Sequence, residues 1–187
     1  MDANEKYRRV WERWQQLRSK RIALFDDWFA LVNKCKGKVP KSERQRVWQE
    51  DDETVAQIRK MEEKLCKMAG DVKPKPQNDY WCRADHSHVS TYHTQYWGAD
   101  KYARGALLPM KTRLEELGFS THISRVGREE YLREYILWAN ITPWEADAVR
   151  RCITIRFAAE VMKSHCVHPA VYFPTVKDKC VQTPWSG

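Results

Sequence analysis

The sequence predicts a predominantly helical α+β protein, in which an N-terminal antiparallel helical hairpin precedes a small α/β domain with a short sheet. Three observations predict it. Residues 1–70 carry two long runs of apolar residues at three- and four-residue steps, split by Gly37 and Pro40. A polar, proline-containing stretch, DVKPKPQND, fills residues 71–79 and reads as a linker. After it, in residues 80–187, segments rich in Thr, Tyr, Val and Trp alternate with helix signals.

The first helix is expected over residues 4–35. Tyr7, Trp11, Trp14, Ile22, Phe25, Phe29 and Val32 form its apolar line. Gly37 ends it, because glycine takes the left-handed conformation that closes a helix, and Pro40 bars its continuation. Ser42 and Gln45 match a capping box and are expected to open the second helix, which runs to Met68. Its apolar line is Trp48, Val55, Ile58, Met61, Leu65 and Met68. With a short connection, two such stripes cover each other in an antiparallel pair. That places Cys35 and Cys66 at opposite ends, out of disulfide reach.

Beyond the linker, Val89–Trp97 is expected to be a strand. Residues 101–117 read as helical in their later part, with Pro109 at a start or kink and Gly118 at the end. FSTHISRV reads as a second strand, and GREEYLREYILWANI as a helix with acids in its first turn. Thr142-Pro143-Trp144-Glu145 is a capping box with proline in the first helical position. The helix it opens is expected to reach about Ser164, with Arg151 paired to Asp147 one turn back.

Charge is unevenly spread along the chain. The formal net charge is +8, and residues 1–41 hold 11 Lys/Arg against 5 Asp/Glu. Arg8, Arg9, Arg13, Arg18, Lys20 and Arg21 fall in the first half of the first helix. Lys34, Lys36, Lys38 and Lys41 fall at the turn. A surface of this kind suits a polyanion, since each Lys or Arg that meets a phosphate releases a counterion. The expected partner is therefore RNA or DNA, held by its backbone. Arg8, Arg9, Arg13, Arg18, Lys20, Arg21, Lys34, Lys36 and Lys38 are the candidate contacts. Trp11 and Trp14 lie on the apolar line and read as core.

The stretch CRADHSHVSTYH, Cys82–His93, concentrates potential ligands. Cys82 and His86 share a face in a strand and in a helix alike, since they lie four residues apart. HCVHP supplies further donors at His165, Cys166 and His168. Cys82, His86, Cys166 and His168 form a chemically sensible zinc set, although no Cys-x-x-Cys pair occurs. No cofactor other than zinc is suggested.

Two family resemblances touch this region. DHSHVS, followed by YARGALL, resembles in part the phage-type His-metal-finger endonucleases, which pair an Asp-His-x-His stretch with a downstream Arg-Gly-Leu-Leu and structural Cys pairs. The resemblance implies His86 as general base and Asp85 as metal ligand, and it is confined to residues 85–108. His88-Val89-Ser90 and His122-Ile123-Ser124 are similar to the paired His-x-Ser/Thr motifs of the two-histidine phosphoesterases. That likeness implies His88 and His122 on either side of a phosphate, although Arg125 stands where an apolar residue is expected.

The other signatures of catalysis are missing. There is no phosphate-binding glycine loop, no Gly-x-Ser-x-Gly and no His-Glu-x-x-His, and only seven glycines occur. No apolar run approaches the ~20 residues of a membrane-spanning helix. The opening MDANEKYRRVWERW lacks the apolar segment of a secretory signal. The expected setting is thus intracellular, cytoplasmic or nuclear, with no membrane partner.

The expected function is that of a nucleic-acid-binding accessory or structural protein acting through the basic hairpin. Two alternatives stand beside it. One is a protein-interaction adaptor or assembly component that docks or self-associates through the aromatic-rich hairpin. The other is a histidine- or metal-dependent phosphoesterase or nuclease.

Overall fold

The computed structural model describes residues 1–78, 80–90, 104–126 and 132–153. It is a predominantly helical α+β fold that divides into two compact units, Met1–Lys67 and Met68–Gly187.

The first unit is an antiparallel pair of long helices, α1 (Ala3–Lys34) and α2 (Lys41–Met68). Tyr7, Trp14 and Leu17 of α1 are buried with Val47, Thr54 and Leu65 of α2. These positions keep to a heptad-like seam, the pattern that lets two helices stay in register over many turns. One expectation is corrected here. Ile22, Phe29 and Trp48 are 61%, 60% and 47% exposed. The seam instead runs through Arg21, whose guanidinium reaches Asp51 on α2. Ile22 and Phe29 lie beside it, outside the stripe that one partner helix can cover.

The turn differs from expectation as well. Helix α2 begins at Lys41, and its first helical bond runs from the Arg44 N–H to the Pro40 carbonyl. Ser42 therefore lies inside the helix and does not cap it. Pro40 supplies the boundary because its fixed φ suits helix entry and its missing N–H costs nothing there.

The second unit opens with a short 3-10 turn at Ala69–Asp71. Strand β1 (Cys82–Ser90), helix α3 (Leu108–Glu116), strands β2 (Thr121–Val126) and β3 (Leu132–Ala139), and helix α4 (Pro143–Cys152) follow. The sheet has the order β1-β3-β2, with β3 antiparallel to both neighbours. Residues 132–139 are thus the central strand, where the sequence reading placed a helix. The reason lies in the alternation along this segment. Tyr135, Leu137 and Ala139 face the core, and Glu134, Ile136 and Trp138 face the other way. Acids ahead of the strand mimicked a helix start, whereas Tyr, Ile, Leu and Trp fit a pleated surface.

Other elements match their signals. Pro109 stands in the first turn of α3. Gly118, with φ +89°, ends that helix in the left-handed conformation. The Glu145 carboxylate accepts the Thr142 N–H and hydroxyl, completing the capping box of α4. The helix is described to Cys152, with Ile153 extended, and the remainder of the span expected to reach Ser164 lies outside the described residues.

Met110 and Leu114 of α3, with Ala146 and Val149 of α4, pack on the inner face of the sheet. Asn140 is buried, and its side chain accepts the Ser120 N–H at 2.9 Å. Among the described residues no helix is long and apolar enough to cross a membrane.

Candidate nucleic-acid interface

The nine candidate cations fall into two chemically different groups. In the body of α1 most are engaged. Arg9 meets Glu5 at 2.9 Å, and Arg8 meets Glu5 at 3.0 Å and Glu12 at 3.8 Å. The two guanidiniums, Arg9 first, hold the Glu5 carboxyl below the usual carboxylate range. Arg13 donates to Gln16, and Arg18 lies 4.7 Å from the Trp14 ring centroid. Lys20 and Arg21 cross to α2, reaching Glu50 at 2.9 Å and Asp51 at 2.7 Å. Arg21 is bidentate on Asp51, and this bond raises the guanidinium's pKa further.

At the turn the arrangement is reversed. Lys34, Lys36 and Lys38 are exposed, together with Lys41 and Arg44. Among the described residues none of the five has an acid within ion-pair distance. Glu43, the one acid in that stretch, is taken by Arg46 at 3.0 Å.

The backbone explains the crowding. Lys36 (φ 49°) and Gly37 (φ 80°) are both left-handed, which folds the chain back at once. The Gly37 N–H returns to the Val32 carbonyl, and the Lys38 N–H to Cys35. Three lysines are thereby gathered at the C-terminal end of α1, whose carbonyl dipoles favour cations. Sequence reading grouped all nine residues because it counts charge and cannot see pairing. It also missed Arg44, which one acid neighbour disguised.

The Cys82–His93 stretch is only partly described. His93 and His165, together with Cys166 and His168 of the proposed zinc set, lie outside the described residues. Within β1 the pairing register slips between Arg83 and Asp85. This bulge inserts Ala84 and inverts the alternation. Cys82 pairs with Ala139 and Asp85 with Leu137, on the core face, whereas His86 pairs with Ile136 on the opposite face. The expectation that Cys82 and His86 face together is therefore corrected. A one-residue bulge flips every later side chain, and spacing alone does not reveal it. Among the described residues no cluster of metal-ligating side chains is found.

Burial sets the chemistry of the core-facing residues. Burial, and secondarily Glu145, push the Cys82 thiol up to about 11. Asp85 is 7% exposed, and desolvation pushes its carboxyl up to about 7 against the opposing pull of Arg150. It accepts the His86 N–H at 2.8 Å.

The strand register does not set His88 opposite His122. His88 pairs with Glu134, and His122 pairs with Trp138. The two histidines are thus four residues out of register, roughly 13 Å along strands that β3 separates.

One cluster escaped the sequence reading. The Trp81 and His122 rings are 5.2 Å apart, and His122 stacks on Trp138 at 6.3 Å with planes 16° apart. The Trp138 indole N–H donates to the Ser124 hydroxyl at 2.7 Å. Cross-strand register makes this row, and that register exists only because residues 132–139 are a strand. In comparisons with known proteins, no family model, no curated protein and no solved structure matches this chain.

Proposed function

We propose that the protein binds nucleic acid through its phosphate backbone, as an accessory or structural component, with the turn of the helical hairpin as the contact. One observation carries the reading. Lys34, Lys36, Lys38, Lys41 and Arg44 are crowded at one tip and exposed, without acid partners among the described residues. Cations already held by carboxylates must break those pairs before meeting a phosphate. Cations without partners release counterions at no such cost. The arginines of α1 serve the reading less well, because Glu5, Glu12 and Gln16 occupy them.

Replacing Lys34, Lys36 and Lys38 by Glu tests it. Affinity for nucleic acid at low salt is expected to disappear in an electrophoretic assay, with helical content by circular dichroism unchanged. Retained binding refutes the turn as the contact.

A second reading rests on a different observation. Ile22, Phe29 and Trp48 are large, apolar and exposed on the hairpin. Such a strip suits docking or self-association. Ile22→Asp with Phe29→Asp is expected to shift an oligomer toward monomer in sedimentation equilibrium. An unchanged mass, if the wild type is already monomeric, removes self-association.

A further inference from the structure

The row Trp81–His122–Trp138 has no part in the fold's main core. His122 and Trp81 are exposed, Trp81 by 46%, and Trp138 is half-buried. All three belong to the sheet face opposite the helices: His122 pairs with Trp138, and Trp138 pairs with Arg83, which is also exposed. Ile136, two residues along β3, is buried, so the open area is a single row rather than a long track.

An exposed indole is an unusual thing to hold in one orientation. Here it is held by the imidazole beside it, which in turn rests on an indole fixed through the Ser124 hydroxyl. The row therefore presents the Trp81 ring, tilted 55° to the His122 imidazole, beside a near-parallel His122–Trp138 pair. Arg83 stands beside it, and the outer-face acid among the described residues, Glu134, lies four residues further along β3. An aromatic plane bordered by a cation matches a nucleobase and its phosphate. A base within a duplex cannot reach such a plane, because both of its faces are already stacked.

We infer that Trp81, supported by His122 and Trp138 and flanked by Arg83, stacks an unpaired base of a single-stranded nucleic acid. This deepens the phosphate-binding reading above and rests on it for the nature of the ligand. The hairpin tip takes phosphates of any strand, and the aromatic row selects strands whose bases are free.

The test uses the full chain with a labelled short single-stranded oligothymidylate and a duplex of the same length, read by fluorescence anisotropy. Trp81→Ala is expected to weaken single-strand binding on the order of 10-fold while changing duplex binding by less than about twofold. Trp81→Phe keeps a ring and is expected to restore most of the loss, which separates stacking from damage to the fold. Equal loss on both ligands, or no loss on either, overturns the inference. The triple Lys34→Glu, Lys36→Glu, Lys38→Glu variant separates the two readings. If it abolishes all binding while Trp81→Ala changes nothing, the hairpin stands and the aromatic row falls. If it changes nothing while Trp81→Ala acts on the single strand alone, the row stands and the hairpin falls. A wild-type chain that binds neither ligand overturns both.

Discussion

The two units treat charge in opposite ways. The hairpin keeps its charges at the surface with the exception of the buried Asp51, and its tip carries five exposed cations with no acid partner among the described residues. The sheet unit draws carboxylates inside: Asp85, Glu145 and Asp147 are 7%, 3% and 4% exposed. Two of these are well compensated. Asp147 is gripped by Arg150 and by Arg151 at 2.6 Å. Glu145 takes bonds from Thr142, the Lys75 N–H and the Gln77 amide. The cations of the tip thus stand without acid partners among the described residues, whereas the carboxylates Glu145 and Asp147 of the sheet unit are satisfied within the fold.

Asp85 is the sharpest test of that division, because among the described residues it accepts one backbone N–H and feels a more distant Arg150. Its carboxyl has been pushed up to about 7. Above about pH 4 the unfolded chain has released this proton, and the folded chain holds it until about pH 7. Folding therefore takes up a proton in that window. Stability is expected to fall as pH rises from about 4 to about 7, by up to about 1.4 kcal/mol per pH unit. Urea titrations at several pH values measure it. Asp85→Asn is expected to flatten the profile and to stabilise the protein at pH 8. A flat wild-type profile would mean that the buried carboxyl is compensated as fully as its neighbours.

The opposite prediction holds at the tip. Neutralising Lys34, Lys36 and Lys38 to Gln is expected to lower the slope of log affinity against log salt by about 2 to 3. Stability is expected to change by less than about 1 kcal/mol, most of it from the helix-end charge on Lys34. Loss of stability without a change in slope would place these lysines in the fold rather than at the interface.

Arg21 belongs to the hairpin and behaves like a residue of the sheet unit. It fills a seam position and holds Asp51, whose side chain is 11% exposed while its own is 43% exposed. Removing a partner from a buried pair costs about 3–5 kcal/mol, and from an exposed one about 0–1. Arg21→Ala is accordingly expected to cost about 1–2 kcal/mol in urea denaturation, leaving salt-dependent binding unaltered.

The helical hairpin and the antiparallel pairing of its helices were legible because apolar periodicity persists over many turns. Which apolar residues lie in the seam was less legible, since Arg21 takes a place that Ile22 was expected to hold. The sheet was harder to read. Its central strand hides behind Glu129 and Glu130, which imitate the acidic start of a helix. The bulge at Ala84 then separated Cys82 from His86, a pair that spacing put together under either secondary structure. Both errors concern long-range pairing, which local pattern does not encode. The same limit hid the Trp81–His122–Trp138 row, whose members are far apart in sequence. The cation set was legible as a composition, but its division into engaged and available residues required distances.

Arg8 and Arg9 give the smallest expected effect and the most direct check on that division. Both sit on the exposed surface of α1 within one turn of Glu5. Exposed pairs at this spacing contribute little, because water screens them and ordering long side chains opposes them. Arg8→Gln with Arg9→Gln is expected to leave the urea unfolding midpoint nearly unchanged. The binding slope is expected to change by less than the single unit that one phosphate contact contributes. Charge counting alone predicts the reverse, since these arginines carry as much formal charge as two lysines of the tip. A slope loss of about 2 would show that nucleic acid displaces Glu5 from both guanidiniums. The interface would then extend along α1 instead of ending at the turn, and local pairing would no longer distinguish structural cations from binding ones.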